Sequence, residues 1–286
     1  MEWIDGMNKA IEYLEDNLAD EIDLEMAAKM AICSSFHFQR VFAYITGVTL
    51  NEYIRRRRMT VAAFELLEGD AKVIDLAYKY GYESPTAFNR AFRNIHGVSP
   101  SKAKIEGIGL TAFPRITFTF SVKGEEAMNY KIEKKEPFRV VGYVTKEDMT
   151  MEDCFEKVPQ FWQSVIKQGG IEKLCALMQG KDPHGILGIS LCEGGNFSGY
   201  LIAVATDAPV PAGMEEYTIP EMTYALFEAI GAMPSAIQNL QQRIISEWLP
   251  TSGYEYGPAP DIEVYPEGDQ QSATYRSEVW LPIVKK

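Results

Sequence analysis

The sequence has 286 residues, of which 46% are hydrophobic, and this excludes a largely disordered chain and leaves room for one large domain or two of ordinary size. No run of eighteen uncharged apolar residues occurs, and the acidic start lacks the basic segment of a signal peptide, so we expect a cytoplasmic protein with no membrane partner. The net charge of -12 argues against unspecific attraction to nucleic acid.

The charge is unevenly distributed along the chain. Residues 1–108 hold 13 Lys and Arg against 16 Asp and Glu, whereas residues 109–286 hold 15 against 24. In the first part the acids cluster before residue 26 and the basic residues follow, so a locally basic face that contacts DNA is compatible with the composition.

Cysteine and histidine spacing does not predict a metal site. No pair of cysteines forms a C-x-x-C motif, and the three histidines lie far apart in the sequence. We therefore expect small buried thiols, no metal and no cofactor. The cysteines are Cys33, Cys154, Cys175 and Cys192.

Two segments of the N-terminal part, residues 24–50 and 74–100, are alike at a fixed offset of fifty positions without a gap. Such agreement predicts a duplicated structural unit. The identical pairs are Ala27 and Ala77, Lys29 and Lys79, Ser34 and Ser84, Phe38 and Phe88, Arg40 and Arg90, Phe42 and Phe92, and Gly47-Val48 and Gly97-Val98.

Each copy is predicted to form two short helices joined by a tight turn. Ser34 or Ser35 in the first copy and Ser84 in the second are good N-caps for the second helix. Pro85 then falls at the first helical position, where its missing N–H costs nothing. A glycine follows each second helix and ends it. The pattern indicates a helix-turn-helix, whose second helix enters the major groove of DNA.

The outward positions of the two second helices are the candidate base contacts. Arginine can pair with guanine, and glutamine or asparagine with adenine. For any one of these residues, an ordinary solvated helix face is an equally good explanation. The set is Ser35, Phe36, Gln39 and Arg40 in the first copy, and Pro85, Thr86, Asn89 and Arg90 in the second.

A long helix over residues 50–70 is predicted between the copies. It would hold the two recognition helices about 34 Å apart, one turn of DNA. Four consecutive arginines span a full helical turn and cannot all face one phosphate. We expect Arg55 and Arg57 to contact the DNA backbone, and the others to pair with Glu52 or stay solvated.

These features resemble the DNA-binding domain of the AraC/XylS family over residues 5–105. The motif runs from Asp75-Leu76-Ala77 through Gly81-Tyr82 and Phe88-x-x-x-Phe92 to Gly97-Val98-Ser99-Pro100. The resemblance implies that the base-facing residues are Phe36, Gln39 and Arg40 in the first copy and Thr86, Asn89 and Arg90 in the second. The module comes first in this chain, which resembles the Rob-like subgroup with its C-terminal effector domain.

The second part has the pattern of an α+β domain. A connector at residues 109–128, with the β-prone run ITFTFSV, separates residues 1–108 from a domain at residues 129–286. The order strand–helix–strand–strand occurs about twice, which predicts two similar halves, an antiparallel sheet and a cleft between the halves. Strands are predicted at 138–144, 186–191, 199–206, 224–230 and 274–284, and helices at 154–168 and 237–249.

Residues of the last strand suggest the chemistry of the cleft. Arg276, Glu278 and Trp280 share one face, and a carboxylate among aromatic rings suits an organic cation. Core packing remains the alternative for each aromatic residue, and solvent exposure or a pair with Arg276 is the alternative for Glu278. The aromatic candidates are Phe161, Trp162, Tyr200, Tyr224, Phe227, Tyr254, Tyr256 and Tyr275.

This part also resembles the GyrI-like effector-binding domains over residues 129–284, best at Ser277-Glu278-Val279-Trp280-Leu281-Pro282-Ile283. The resemblance implies that Glu278 is the buried acid that meets the ligand. We therefore expect a transcription regulator and not an enzyme, with double-stranded DNA, a small aromatic or cationic effector and RNA polymerase as partners. Two alternatives stay open: a hydrolase using Glu278 with Tyr200 or Tyr275, and a module that sequesters another protein through its acidic surface.

Overall fold

A computed structural model describes residues 2–68, 71–105, 108–119, 127–145, 151–193 and 196–285. The chain divides into two compact units, Met1–Phe38 with Thr46–Ser121, and Gln39–Ile45 with Val122–Lys286. The division between Ser121 and Val122 falls inside the predicted connector at residues 109–128, and the short segment Gln39–Ile45 groups with the second unit. Gly107, Gly124 and the end of ITFTFSV lie outside the described residues.

The regular structure of residues 2–103 is helical, as predicted, and most of helix α3 (Ser35–Thr46) belongs to the segment Gln39–Ile45 of the second unit. Helix α1 was not predicted, although its buried Met7, Ile11 and Leu14 follow helical spacing. The helices are α1 (Glu2–Asp16), α2 (Leu24–Met30), α3 (Ser35–Thr46), α4 (Leu50–Glu68), α5 (Val73–Lys79), α6 (Pro85–His96) and α7 (Pro100–Ala103).

The two helix-turn-helix copies, α2–α3 and α5–α6, use the predicted local signals. Ser84 caps α6 by accepting the Ala87 N–H, and Pro85 opens that helix. In the first copy the Ser34 hydroxyl accepts the His37 N–H at 3.3 Å. Gly97 ends α6 with a φ of 74°, a left-handed conformation that glycine adopts without steric cost.

The repeat is not free of gaps, contrary to the prediction. The turn N–H bonds run from Ile32 to Lys29 and from Gly81 to Tyr78, and both turn residues have positive φ. The first helices therefore correspond at an offset of 49, whereas the second helices, α3 and α6, correspond at 50. One extra residue in the second turn accounts for the difference, so Lys29 and Lys79 are not structurally equivalent.

The second unit is built on one antiparallel sheet, in which the described residues form nine strands. The strand order is β1-β6-β9-β8-β3-β4-β2-β5, and β7 pairs with β9. The strands are β1 (Tyr130–Lys135), β2 (Phe138–Thr145), β3 (Ile186–Glu193), β4 (Asn196–Ala205), β5 (Glu215–Ile219), β6 (Met222–Ile230), β7 (Tyr254–Tyr256), β8 (Asp261–Tyr265) and β9 (Arg276–Lys285).

The predicted duplication is present in the order of these elements. The first half runs β2, α8 (Met151–Lys167), α9 (Gly170–Cys175), β3 and β4. The second runs β6, α10 (Ser235–Arg243) with a π-helical turn at Ile244–Trp248, β8 and β9. The halves meet where β3 pairs with β8 at the centre of the sheet. Strand β8 was missing from the sequence prediction.

Alternation along the central strands separates two faces of the sheet. One face carries Ile262, Val264 and Trp280 in one hydrophobic cluster. The other is covered by helices, with Val279 packed among α10 residues and Tyr200 packed beside α8 residues. Residues that pair across β8 and β9 lie on the same face, so Val264 shares a face with Glu278, and Glu263 shares the opposite face with Val279.

Among the described residues, no helix is long and apolar enough to cross a membrane. In the same part of the chain, no three His, Cys, Asp or Glu side chains come together in a way that could hold a metal ion.

Candidate functional site

Helix α6 exposes two of its four predicted base-facing residues and leaves the other two half-buried. Thr86 and Arg90 are exposed, and Asn89 and Pro85 are half-buried. The Asn89 side-chain amide donates to the Pro85 carbonyl at 3.0 Å within the same helix. Phe88 and Phe92 fill the core on the opposite side, which fixes the rotation of the helix. The polar face of α6 is therefore available to a partner.

Helix α3 differs, and the predicted exposure of its residues is wrong in this structure. Phe36 is 3% exposed and Arg40 is 7% exposed, while Ser35 and Gln39 are half-buried. The Arg40 guanidinium forms an ion pair with Asp261. A buried, ion-paired arginine cannot contact a base edge without first leaving its partner.

The sequence carries a signal for this difference, because the outward positions of α3 are less polar than those of α6. Offset by fifty, Phe36, Ala43 and Tyr44 stand where α6 has Thr86, Arg93 and Asn94. Thr86, Arg93 and Asn94 are all exposed, whereas Phe36 and Ala43 are buried. Only the arginine is shared, and it is paired in one helix and exposed in the other.

The arginines of α4 are held mostly within the protein. The Arg57 side chain is 12% exposed, donates to Glu15 at 2.7 Å and to the Phe113 carbonyl at 2.5 Å, and so is not placed for the predicted phosphate contact. Arg55 is about half exposed and pairs with Glu52. Of the two predicted phosphate contacts, Arg55 alone has an exposed side chain.

An acidic cluster lies on the helix-covered face of the sheet. We define it as Asp261 and Glu263 of β8, the three side chains bonded to Glu263, and Trp162 of α8. Glu263 accepts the Tyr200 hydroxyl at 2.9 Å, the Tyr265 hydroxyl at 3.0 Å and the Gln241 amide at 2.7 Å. Trp162 of α8 donates its indole N–H to the Tyr200 oxygen at 3.2 Å. Both halves of the unit thus contribute to the cluster, α8 and β4 from one and α10 and β8 from the other.

Burial dominates the electrostatics of the cluster. It raises the pKa of Asp261 to about 6, opposed by the positive charge of Arg40 and reinforced by the negative charge of Glu263. Burial also raises the pKa of the Tyr200 and Tyr265 phenols, and the nearby Glu263 carboxylate raises it further. The phenols therefore remain neutral hydrogen-bond donors to the carboxylate.

Two side chains of Gln39–Ile45 lie against this cluster. Arg40 pairs with Asp261, and its guanidinium carbon lies 5.5 Å from the centre of the Tyr44 ring. Burial raises the pKa of Tyr44, and the charges of Glu263 and Asp261 act on it in the same direction. The segment thus brings one cation and one aromatic ring to two acids.

Gly188 of β3 leaves the space in which the phenol and the carboxylate meet. It pairs with Glu263 across the sheet. A Cβ atom at this position would lie 2.2 Å from the Tyr200 hydroxyl oxygen and 2.9 Å from Glu263 Oε2. A side chain at position 188 would therefore force the Tyr200 phenol or the Glu263 carboxylate to move from its place in the cluster.

The predicted ligand residues fall on two faces of the sheet and do not form one cleft. Glu278, Trp280 and Tyr224 lie on the face opposite to Glu263. Trp280 donates its indole N–H to Glu278 at 2.6 Å, and Glu278 lines a shallow depression of about 270 Å³ with Tyr130 and Lys131. The placement of Glu278 as a buried cleft acid is not what the structure shows.

The remaining predicted aromatics divide between the cluster and the helix packing. Trp162 and Tyr200 belong to the acidic cluster, and Phe161 packs in the same hydrophobic cluster as they do. Phe227, Tyr254 and Tyr256 pack with α10, and Tyr275 donates to the Pro266 carbonyl at 2.7 Å. Core packing, the alternative for these last four, describes their positions.

Sequence reasoning missed Asp261 and Glu263 because it missed β8. The segment DIEVY alternates polar and apolar residues between prolines, which is a strand signal. The duplicated layout also requires a third strand in the second half. Either observation could have placed the two acids on one face.

Comparison with known proteins agrees with this architecture. A family model described as "Helix-turn-helix domain" matches residues 27–104. A second, described as "Integron-associated effector binding protein", matches residues 131–283, which is more than half of the chain. The HTH-type transcriptional activator AarP of Providencia stuartii is 37% identical over 103 residues, covering 36% of this chain and 76% of AarP.

The chain belongs to the AraC family of transcription regulators and carries a GyrI-like effector-binding domain. The multiple antibiotic resistance protein MarA of Salmonella typhimurium is 36% identical to this AraC-family regulator over 99 residues, covering 35% of the chain and 78% of MarA. A solved structure of SAV2435 bound to tetraphenylphosphonium is similar to the regulator, with 28% identity and a TM-score of 0.50. That match covers 55% of the regulator and 94% of SAV2435.

Proposed function

We propose that this regulator binds a lipophilic organic cation at the acidic cluster and that Glu263, rather than Glu278, carries the recognition. The observation that supports this best is the geometry of Glu263, whose carboxylate is held by three hydrogen-bond donors beside the Trp162 and Tyr265 rings. A fixed negative charge flanked by aromatic faces suits an organic cation, because the rings add cation–π attraction to the Coulomb term.

The likeness to SAV2435 supports the same ligand class. That protein was solved with tetraphenylphosphonium, a bulky aromatic cation, and it is similar to 55% of this chain. An effector of this kind has one delocalised positive charge and several rings. It would therefore match the acid and the aromatic side chains together.

Titration calorimetry of the full chain with tetraphenylphosphonium tests the proposal. Glu263→Gln keeps the shape and a carbonyl acceptor but removes the charge, so we expect affinity to fall by about tenfold or more. The matched control is Glu278→Gln on the other face of the sheet, for which we expect the dissociation constant to stay within about twofold. Loss of affinity in Glu278→Gln alone would contradict the proposal and would indicate a binding site on the opposite face of the sheet.

We also propose that α6 is the main base-contacting helix of the regulator in the conformation described here. Its Thr86, Asn89 and Arg90 lie on the side opposite to the buried Phe88 and Phe92. Arg90 can pair with guanine and Asn89 with adenine in the major groove. The activator named among the relatives, AarP, makes transcriptional activation the more favoured direction of control.

The hydrolase alternative has little geometric support. Glu278 and Tyr200 lie on opposite faces of the sheet and cannot act on one substrate atom. The Tyr275 hydroxyl already donates to a backbone carbonyl. The sequestering alternative finds no observation in its favour beyond the acidic composition of residues 109–286.

A further inference from the structure

The acidic cluster already holds a cation from the protein itself. Asp261 is 4% exposed and pairs through Oδ2 with the Arg40 guanidinium, which is buried to a similar degree. Tyr44, one turn further along α3, supplies an aromatic ring next to that guanidinium. Arg40 and Tyr44 thus supply a positive charge and an aromatic ring, the two chemical features that an aromatic cation would bring.

The cluster retains more acceptor capacity than this arginine uses. The second carboxylate oxygen of Asp261, Oδ1, is buried and accepts no hydrogen bond from any described residue. Glu263 lies two residues along the same strand and face, so two acids are present for one paired guanidinium. The cluster therefore carries more negative charge than Arg40 neutralises, and this remaining charge attracts a further cation.

The equivalent face of α6 does not have the side chains that α3 places against the acidic cluster. Where α3 has Phe36, Ala43 and Tyr44, α6 has Thr86, Arg93 and Asn94, whose polar side chains are exposed. The difference between the copies is therefore concentrated on the face that carries Arg40. Selection for burial of this face, as well as for contact with DNA, explains the apolar substitutions.

We propose that Arg40 is an internal ligand of the acidic cluster, and that a cationic effector and the segment Gln39–Ile45 exclude each other there. This rests on the proposed function in one respect, namely that the effector binds at Glu263. While the segment is in place, Arg40 is withheld from DNA. When an effector occupies the cluster, Arg40 and its helix face become available as a second recognition surface.

The coupling follows from population arithmetic. If only a fraction of molecules has the cluster open, the apparent dissociation constant for the effector equals the intrinsic constant divided by that fraction. Removing the internal competitor raises the open fraction, and so tightens effector binding without adding a contact. By reciprocity, an effector that binds only the open form must shift the chain toward the form with α3 released.

The first test compares tetraphenylphosphonium affinity in the full chain and in Arg40→Gln by titration calorimetry. We expect Arg40→Gln to bind about tenfold more tightly. Arg40→Lys keeps a cation and should show a smaller gain than Arg40→Gln. Equal affinity in all three chains, with binding still lost in Glu263→Gln, would overturn this inference and leave the proposed function intact.

Absence of binding in both the wild-type chain and Arg40→Gln would overturn the proposed function, and the competition with it. Weaker binding in Arg40→Gln would show that the arginine supports the site rather than competes for it, and would also overturn the inference. Near-ultraviolet circular dichroism establishes that each variant is folded.

The second test uses DNA and no effector, so that it does not depend on the identity of the ligand. The probe is a duplex that the wild-type chain selects from a random pool. Asp261→Asn weakens the hold on Arg40 while leaving both recognition helices unchanged, and we expect it to bind this duplex about tenfold more tightly. Adding tetraphenylphosphonium to the wild-type chain should shift affinity in the same direction. An Asp261→Asn chain with wild-type DNA affinity would contradict the proposed withholding of Arg40.

Discussion

Helices α3 and α6 occupy the same place in two copies of one sequence unit, and both end in a glycine and bury two phenylalanines four residues apart. Their outward faces nevertheless differ in exposure to solvent. Arg90 is exposed, whereas Arg40 is buried in an ion pair with Asp261. The two copies therefore agree in the residues that build the helical unit and differ in the residues that determine what its surface contacts.

The largest difference that we expect between the two helices is in how much each arginine contributes to DNA affinity. Arg90→Ala removes an exposed bidentate donor and should cost about 1–3 kcal/mol, or roughly 5- to 150-fold in affinity for a selected duplex. Arg40→Ala, measured without effector, should change affinity by less than about threefold. Fluorescence anisotropy at fixed salt measures both. Equal losses in the two variants would mean that both arginines contact DNA in the effector-free chain.

A second difference between the copies concerns acid stability. Position 96 at the end of α6 is a buried histidine, where α3 has Thr46. Burial lowers the pKa of His96 below its usual value, opposed by its hydrogen bond with the Met59 carbonyl. The unfolded chain therefore takes up a proton more readily than the folded one, and stability should fall as pH drops below about 6.5.

Replacing His96 with the residue of the first copy isolates this effect. In His96→Thr the loss of stability between pH 7 and pH 5 should be smaller than in the wild-type chain, as measured by urea unfolding with far-ultraviolet circular dichroism. Asp261, whose pKa of about 6 falls in the same range, is common to both chains and cancels in the difference. Identical pH profiles for the two chains would show that His96 does not titrate as argued.

The smallest expected effect concerns the turns of the two copies. The turn residue with positive φ is Gly81 in the second copy and Ile32 in the first, at φ values of 76° and 58°. A β-branched residue in this region costs about 1–2 kcal/mol, and Ile32 is 59% exposed, so little burial offsets the strain. After the greater chain entropy of glycine is deducted, Ile32→Gly should stabilise the protein by about 0.5 kcal/mol.

The reciprocal change, Gly81→Ala, should destabilise by about 1 kcal/mol, because alanine is strained at this φ. Thermal unfolding of both variants measures the pair. A destabilising Ile32→Gly would indicate that the exposed isoleucine makes a contact that outweighs its backbone strain.

Local signals made the helical unit largely predictable. Serine caps, Pro85 and the terminal glycines placed the second helices of both copies to within a residue. The gapless repeat was an overstatement, since identities such as Lys29 with Lys79 arise by chance across a turn that differs in length. Helix α1 was missed because it has no counterpart in the repeat.

The sites were less predictable, because long-range pairing determines them. Trp162 and Tyr200 were selected from sequence as aromatic candidates, but the acid that they accompany belongs to a strand only five residues long. Glu278 drew attention through its motif, yet which face it occupies depends on sheet register. The less polar outward positions of α3 indicate a buried face, but the partner of Arg40 lies 221 positions away and no local pattern identifies it.

The bare backbone at Gly188 has a consequence for how this regulator could be silenced. A single methyl group there would push apart the phenol and the carboxylate that meet above it. We therefore expect Gly188→Ala to give a regulator that still binds its promoter but no longer responds to the proposed effector.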